Sequence, residues 1–565
     1  MSIIQNKLKS YHWRKSVIWL LLTGLILRSI IAFWLFPGYD EGYYYLYTRH
    51  LDWSYFDHPL LVALTTNFGI WITGITSLFT LRFGTVILYT GSLCLLYLTS
   101  SRLFGHQTAK LTLAIVSVVP IFNIGFGVIT LPDSPLIFFW TASLYCATIE
   151  FFPNHSNSNQ NFRPTYRLAV LGILVGLTCL GKYHGFILGL GLIGFCLTSP
   201  PHRCVFISRW TGLGFILFIL TLFPLWFWNL NHDWISFQFQ LLNRFEPPPE
   251  EEVLSSGYSL LNVFFVFLTG LGLLFPTIGI PLWWVVFKSS LSQLQILFNN
   301  KLFGISKKVK NKFNEYDFLK KQLFILWVSL PLMLGFTLLG GKQQILVTWP
   351  IPGYWSATLL LGFYSVQWKQ HSSNLIRWWI RSTGIITTAI LLLLLLHTTK
   401  GTFYKINKYS PFLYFFTPQN DPVTELIDIK QLRNNFAESS ELMNALSETD
   451  FIFTNAYYLA GLIDLALRPL KDIPVTCFSY DMRGFLFWYD TNQWVGKDGL
   501  YITLEQFDKM PHLKNDFSRY FKEFKEVGTV SIRLGGVVVN IFHIYKAKTF
   551  LKPYSPEESF SFYKN

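Results

Sequence analysis

The stretch DEGYYYLYTRHLDWSYFDHPLL, residues 40–61, decides how the rest of the chain is organised. Its ionisable residues, apart from the tyrosines, are Asp40, Glu41, Arg49, His50, Asp52, Asp57 and His58. The stretch directly follows the first long apolar run, and ionisable groups so close to a membrane-embedded segment are costly and usually functional. Its five tyrosines and Trp53 have the amphipathic character of residues at a membrane–water interface. We interpret the stretch as an acidic catalytic loop on the membrane surface, with other loops gathered around it.

The composition is typical of a polytopic helical membrane protein. Of the 565 residues, 51% are hydrophobic, 18% are aromatic and only 14% are charged. Residues 400–565 carry 19 basic and 19 acidic residues, so the whole net charge of +14 lies in the apolar part of the chain. The basic residues there occupy short loops between apolar runs, which indicates membrane topology and argues against a nucleic-acid partner.

The apolar runs predict about eleven membrane spans, with a range of roughly nine to thirteen. The predicted spans are 16–36, 79–101, 111–128, 133–151, 168–181, 184–200, 210–229, 257–287, 322–340, 350–367 and 382–398. The first of them is interpreted as a retained span and not as a cleaved signal, because no small-residue cleavage site follows it. The run 257–287 is long and contains Pro276 and Pro281, so a surface helix that leads into a span is an alternative there. Residues 59–79 are also apolar, and we predict a helix that lies on the membrane there.

The basic residues predict an orientation in the inner (cell) membrane. The intervening segments 1–15, 102–110, 152–167, 201–209, 288–321 and 368–381 hold 21 of the 27 basic residues that precede residue 400. Positive charge favours the cytoplasmic side, so the N-terminus is predicted to be cytoplasmic and the residue 40–61 loop to be outside.

The composition changes after residue 399. Strand-like runs such as FIFTNA, PVTCFSY and GVVVNIFHIYKA alternate with helical stretches, and Gly535-Gly536 between two alternating runs predicts a hairpin turn. We predict an all-α membrane domain over residues 1–399 and a small α/β domain over residues 400–565, outside the membrane.

Four more outer motifs accompany the first loop. They are ITLPDSPLIFFW with Asp133, LGKYHG with Lys182 and His184, WNLNHDWISFQFQLLNRF with Arg244, and GGKQQILVTWPIPGYW with Lys342 and Trp349. Together with the loop they place several carboxylates and cations on one side of the membrane. A carboxylate can act as a general base, and cations can hold a phosphate and stabilise it as a leaving group. A carboxylate base next to cations that bind phosphate suits the transfer of a group from a phosphate-linked carrier.

These motifs resemble the signature stretches of membrane glycosyltransferases with the GT-C fold. The likeness is to the bacterial branch similar to protein O-mannosyltransferases and to the aminoarabinose transferases that modify lipid A. The resemblance covers about residues 15–400, and FIFTNAYYLAGLIDLAL and GFLFWYD resemble the tail of bacterial members. It implies an inverting transferase that uses a sugar on polyprenyl phosphate at the outer face, with an envelope lipid, glycan or protein as acceptor.

The resemblance also implies roles for particular residues. Asp40 matches the catalytic base and Glu41 its partner, with Asp133 a further candidate acid. Tyr44 and Tyr55 match positions that line the site of the carrier phosphate, and Arg244, Lys342 and Trp349 fall near later positions of that site. His58 and Lys182 are further candidates for binding the carrier phosphate and sugar. Asp57-His58 departs from a Glu-Lys pair of the aminoarabinose transferases, and His is only partly charged at neutral pH. Asp57 and His58 can instead ligate a divalent metal ion, which is the one cofactor that the resemblance suggests.

Simpler interpretations of the same residues stay open at this point. Asp133 can cap a helix, Lys182 can extend to the lipid headgroups, and Lys342 can be a plain interface cation. His184 can be structural, and Arg244 can pair with a nearby acid such as Glu246. A lipid-carrier flippase is an alternative of another class, and it predicts charges or broken helices near the membrane midplane. A non-catalytic scaffold would leave the motif acids replaceable.

Overall fold

A computed structural model describes residues 2–153, 162–241, 257–302, 313–407, 417–510 and 516–554. The chain up to residue 407 is helical. Its α-helices are α1 Ser2–Trp34, α2 Tyr39–Arg49, α3 Leu61–Thr73, α4 Leu78–Phe104, α5 His106–Ser117, α6 Asp133–Phe151, α7 Arg167–Gly181, α8 Gly185–Thr198, α9 Arg209–Thr221, α10 Phe223–Leu230, α11 Ile235–Leu241, α12 Leu260–Leu273, α13 Pro276–Leu302, α14 Phe313–Trp327, α15 Leu330–Leu339, α16 Ile351–His371, α17 Ser373–Lys400 and α18 Thr402–Asn407.

Four helical segments of the described chain are long and apolar enough to cross a membrane, or up to seven if each bent pair counts as one span. The four are Lys15–Trp34, Leu78–Phe104, Tyr316–Leu339 and Ser373–Lys400. The predicted count of about eleven is therefore not confirmed. Several apolar runs form helices that are too short to cross by themselves, such as α7 with 15 residues and α8 with 14.

Four predicted spans are not single helices. The run 210–229 consists of α9 and α10, which are bent by 49° relative to each other, and the run 322–340 consists of α14 and α15. The run 111–128 stops as an α-helix at Ser117 and continues as a π-helical turn over Phe122–Phe126. The run 257–287 consists of α12 and α13, which meet at an angle of 117°. Phe275 at the bend has a left-handed backbone with φ of 65°, and Pro276 begins α13, where a missing N–H costs nothing.

The predicted surface helix corresponds to α3, which begins after Leu60 and ends at Gly74 in the left-handed conformation. It has only 13 residues, and Phe68, Trp71 and Ile72 are exposed on it. A short helix with large apolar side chains on one exposed face suits a position in the membrane interface.

The tail forms an α/β domain around one five-stranded sheet. Its elements are α19 Ile429–Glu438, α20 Ser440–Ser447, β1 Phe451–Thr454, α21 Tyr457–Leu467, β2 Val475–Cys477, α22 Phe485–Trp488, β3 Gly499–Leu504, α23 Glu505–Asp508, β4 Phe521–Leu534 and β5 Val537–Phe550. The strand order is β2-β1-β3-β5-β4, with β1 parallel to β2 and β3, and β5 antiparallel to β3 and β4. Gly535 and Gly536, at φ of 62° and 89°, turn the β4–β5 hairpin as predicted.

The tail domain packs directly on the loop helix α2. Gly42 of α2 faces Gly461 of α21 so closely that a Cβ on Gly461 would lie 1.8 Å from the carbonyl oxygen of Gly42. Tyr43, Tyr45 and Tyr47 are buried in the same apolar core as Leu462 and other residues of the tail. The first loop and the last domain therefore share one core, and each fixes the position of the other.

Candidate active site

Asp40 lies in the first turn of α2, immediately after the extended cap residue Gly38 and Tyr39. The N-terminal end of a helix carries partial positive charge and favours a carboxylate. The side chain of Asp40 can be reached by solvent, yet protein surrounds it on most sides, as at the bottom of a recess. Burial raises the pKa of Asp40, while Arg483 and Lys182 oppose the rise and Asp57 and Asp133 add to it. These four charged groups therefore lie close enough to Asp40 to shift its pKa.

Glu41 points away from this recess and forms a buried ion pair with Arg82 of α4. Its two carboxylate oxygens accept from Nε and Nη2 of Arg82 at 2.8 and 2.6 Å, and the backbone N–H of Thr130 donates to one of them at 3.0 Å. Arg82 also donates to the carbonyl oxygens of Ala32 and Leu35 at the end of α1. Glu41 thus fixes α2 against the membrane helices, and the geometry favours a positioning role over direct partnership with Asp40.

Asp133 and Lys182 form a second buried pair. The Nζ atom of Lys182 donates to both carboxylate oxygens of Asp133, at 3.0 and 2.9 Å. Asp133 is the first residue of α6, but its side chain makes no capping hydrogen bond, since Pro132 holds the cap position. Lys182 ends α7 and turns inward to Asp133, so it does not extend to the lipid headgroups. The second and third motifs therefore meet beside Asp40.

Asp57 is fully buried and contacts Arg483, a residue for which the sequence predicted no role. Nη1 of Arg483, in the tail domain, donates to its Oδ2 at 2.9 Å, and the hydroxyls of Tyr43 and Tyr47 donate to its Oδ1. Only the position of Arg483, directly before the family-like stretch GFLFWYD, hinted at a role. The structure adds Arg483 to the charged groups around Asp40.

The fourth motif binds the C-terminal half of the residue 40–61 loop. Nε1 of Trp228 donates to Oδ2 of Asp52 at 2.8 Å, and the side chains of Ser236 and Gln240 donate to the carbonyl oxygens of Tyr55 and Asp57 at 3.0 and 2.6 Å. Arg244, which ends this motif, lies outside the described residues. Its predicted phosphate contact stays a prediction.

The aromatic candidates of the loop have different surroundings. Tyr44 is buried near Asp40, with its ring 5.5 Å from the ring of His58. The Tyr55 hydroxyl donates to the carbonyl oxygen of Tyr47 and accepts from the N–H of Asp52, both at 3.2 Å. Its ring stacks on that of Tyr47 at 3.7 Å. Tyr55 therefore holds the loop together, whereas Tyr44 lies within electrostatic reach of Asp40 and Asp57.

The fifth motif lies at the edge of the cluster. Trp349 is buried, and its ring lies 6.2 Å from His184 and 5.3 Å from Phe336. Lys342 is exposed in the turn after α15. Trp349 thus supports the LGKYHG turn that carries Lys182, while a phosphate contact of Lys342 stays a prediction.

The donor groups around Asp57 do not form a cage for a metal ion. Among the residues that the structure describes, no three His, Cys, Asp or Glu side chains come together in a way that could hold one. Oδ2 of Asp57 already binds the guanidinium of Arg483, which is itself the local cation. The proposed chemistry therefore does not involve a metal ion, and the metal role of Asp57 and His58 stays a prediction.

A groove of about 940 Å³ lies elsewhere, between α1 and α17. Its lining is largely apolar and contains none of the acids of the loop. The chemistry described above points to the recess at Asp40, so this groove is not the candidate active site.

Within the described residues, Asp40 is the acid of this cluster that stands without a partner. Glu41 pairs with Arg82, Asp133 with Lys182 and Asp57 with Arg483, while Asp52 accepts from Trp228. Asp40 makes no hydrogen bond or ion pair with any described side chain. A carboxylate that is reachable and free to accept a proton is what a general base requires.

Comparison with known proteins shows what the sequence and the fold are similar to. The family model described as dolichyl-phosphate-mannose-protein mannosyltransferase matches residues 57–228. The crystal structure of ArnT from Cupriavidus metallidurans in the apo state superposes with a TM-score of 0.55 at 13% identity, over 94% of this chain and 98% of that one. The chain has the GT-C fold.

Other solved structures with the GT-C fold are less similar. The oligosaccharyltransferase of Archaeoglobus fulgidus in the apo form gives a TM-score of 0.40 at 11% identity, over 80% of this chain and 64% of that one. A search of the curated proteins found no match. Taken together, the family model, the apolar spans and the GT-C fold support a membrane glycosyltransferase.

Proposed function

We propose that this chain is an inverting glycosyltransferase. It moves a sugar from a polyprenyl-phosphate carrier to an envelope lipid, glycan or protein at the outer face of the membrane. The observation that carries the proposal is the reachable carboxylate of Asp40, which has no partner among the described side chains, while Glu41, Asp133 and Asp57 are each paired with a cation. The matched family model supports the class of donor, since its description names a sugar on a lipid phosphate.

The proposed reaction is a single displacement. Asp40 takes the proton from a hydroxyl of the acceptor, and the hydroxyl oxygen forms a bond to the anomeric carbon of the sugar. The bond from that carbon to the phosphate oxygen breaks on the opposite side, so the configuration inverts and polyprenyl phosphate leaves. The phosphate gains negative charge in this step, and nearby cations stabilise it. Arg244 and Lys342 remain candidates for that role together with His58, while Lys182 already neutralises Asp133.

A transfer assay tests the proposed function. The purified full chain in lipid nanodiscs is incubated with sugars on undecaprenyl phosphate and with separate lipid, glycan and protein fractions of the envelope. We expect free undecaprenyl phosphate to be released and one fraction to gain the mass of a sugar. Nucleotide sugars serve as the matched control donor, because the proposal assigns no site for a nucleoside. Transfer from nucleotide sugars alone would contradict the proposal.

The proposal also places the chain in the cell membrane with its N-terminus and the 288–321 segment in the cytoplasm and the tail outside. A reporter enzyme that is active only in the cytoplasm should be silent when fused to Asn565. The same reporter inserted at residue 310, in the lysine-rich segment, should be active. Activity at Asn565 would put Asp40 on the side opposite to the one proposed.

A further inference from the structure

Arg483 reaches the recess from the tail domain in an unusual backbone conformation. It lies between β2 and α22 with φ of 46°, in the left-handed region that residues other than glycine rarely adopt. Such a conformation costs free energy and persists only where the surroundings enforce it, which is typical of functional sites.

Two aromatic rings and two carboxylates hold the guanidinium of Arg483. Its carbon lies 3.9 Å from the ring centre of Tyr457 in the tail and 5.7 Å from that of Phe239 in α11. Nε donates to Asp481 at 3.2 Å, and Nη1 donates to Asp57 at 2.9 Å. The aromatic rings and the two acids fix the orientation of the planar group.

One edge of the group stays open. Among the described residues, Nη2 of Arg483 makes no hydrogen bond, and the side chain is 22% exposed. Arg483 opposes the rise in the pKa of Asp40, so its guanidinium lies within electrostatic reach of the candidate base. An arginine donor that is fixed, reachable and next to the reacting centre can bind a phosphate oxygen.

Two described cations face the acids of the recess. The described acids there are Asp40, Asp57, Asp133 and Asp481, and the cations facing them are Arg483 and Lys182. Lys182 directs its ammonium to both oxygens of Asp133, so Arg483 is the better placed of the two cations for a bound anion.

We propose that Arg483 binds the phosphate of the lipid carrier through Nη2, so that the tail domain supplies part of the substrate site. This role rests on the proposed function, because it takes the carrier phosphate as the ligand. When the bond between sugar and phosphate breaks, the phosphate gains charge beside this guanidinium.

Binding of sugar-free carriers tests the proposal without any transfer. The full chain in nanodiscs is titrated with undecaprenyl phosphate and with undecaprenol, which has the same chain but no phosphate. We expect the wild type to prefer the phosphate, and Arg483→Gln to lose that preference by about 10- to 100-fold, the usual range for hydrogen bonds to a charged group. Arg483→Lys should lose part of it, since the planar fork is gone.

Arg468→Gln is the matched control. Arg468 also lies in the tail close to α2, but it pairs with Asp464 at 2.6 Å and with Asp472, away from Asp40. It should keep the preference for the phosphate. An equal loss in Arg468→Gln, or full preference in folded Arg483→Gln, would overturn the role of Arg483. A wild type that binds both lipids equally would instead overturn the donor class in the proposed function.

A measurement on the wild type covers the case in which Arg483→Gln does not fold. Phenylglyoxal modifies accessible arginines, and mass spectrometry reports the modified fraction of each peptide. We expect undecaprenyl phosphate, but not undecaprenol, to protect Arg483 and to leave Arg468 unchanged. Equal modification of Arg483 with either lipid would overturn the proposal.

Discussion

Asp40→Asn is expected to reduce sugar transfer by roughly 10²–10⁴-fold, the contribution typical of a general base. The amide has nearly the same shape as the carboxylate but cannot accept the proton of the acceptor. Asp40 has no partner among the described side chains, so the change breaks no ion pair and should leave folding intact. The measurement is the rate of undecaprenyl phosphate release by purified protein, with a thermal melt recorded for each variant.

Asp52→Asn is the matched control for this change. It lies in the same loop, and its carboxylate accepts from Nε1 of Trp228, a contact that an amide oxygen can also make. We expect nearly normal transfer from this variant. If Asp40→Asn keeps normal turnover while Asp133→Asn or Asp57→Asn abolishes it, Asp40 is not the base. If none of these substitutions lowers the rate of transfer, the proposed transferase activity is disproved.

Arg82→Met is expected to lower the free energy of unfolding by roughly 3–5 kcal/mol, because it leaves the buried carboxylate of Glu41 without its cation. Arg82 and Glu41 are 1% and 6% exposed, so water cannot replace the lost contact. The change also leaves the carbonyl oxygens at the end of α1 without their donor. We expect transfer to fall as well, since α2 would no longer hold Asp40 in place. Thermal melts in detergent measure the loss of stability.

Arg49→Gln provides the comparison for Arg82→Met. Arg49 lies in the last turn of α2 and pairs with Asp472 at 3.8 Å, with both side chains largely in water. Exposed pairs of this kind contribute about 0–1 kcal/mol, so the melt should hardly change. A double variant with Glu41→Gln and Arg82→Met should recover part of the stability, because no charge stays buried alone. Equal melting of Arg82→Met and Arg49→Gln would show that the buried pair is not what holds α2.

The sequence predicted the elements that show a pattern within a few neighbouring residues. Alternating apolar residues located the strands of the tail, and Gly535-Gly536 located the hairpin. The motifs at Asp40, Asp133 and Lys182 were found because charged residues stand out beside apolar runs. The prolines indicated a break within 257–287, where α12 and α13 meet. The breaks within 111–128 and 210–229 were missed because hydrophobicity is the same on both sides of a bend.

Two features of the site were not predictable from the sequence. One depends on the direction in which neighbouring side chains point, and the other on a contact between residues far apart in the chain. Asp40 and Glu41 are neighbours in sequence, which suggested that they act together. On a helix, successive side chains point about 100° apart, so one faces the recess and the other faces Arg82. Arg483 lies 426 residues from Asp57, and no periodicity or motif links positions so far apart. The fold alone brings the two into contact.

The shared core of α2 and the tail has a consequence for biosynthesis. Gly484 donates its N–H to the hydroxyl of Tyr43 across 441 residues, so the residue 40–61 loop leaves the ribosome long before its packing partner exists. Contacts of such long sequence separation form late in folding, because the intervening chain has to be ordered first. Until the tail has been synthesised, the tyrosines of the loop lack the domain that buries them in the finished protein. A half-made chain thus holds the acids of the recess without Arg483 and the domain that carries it.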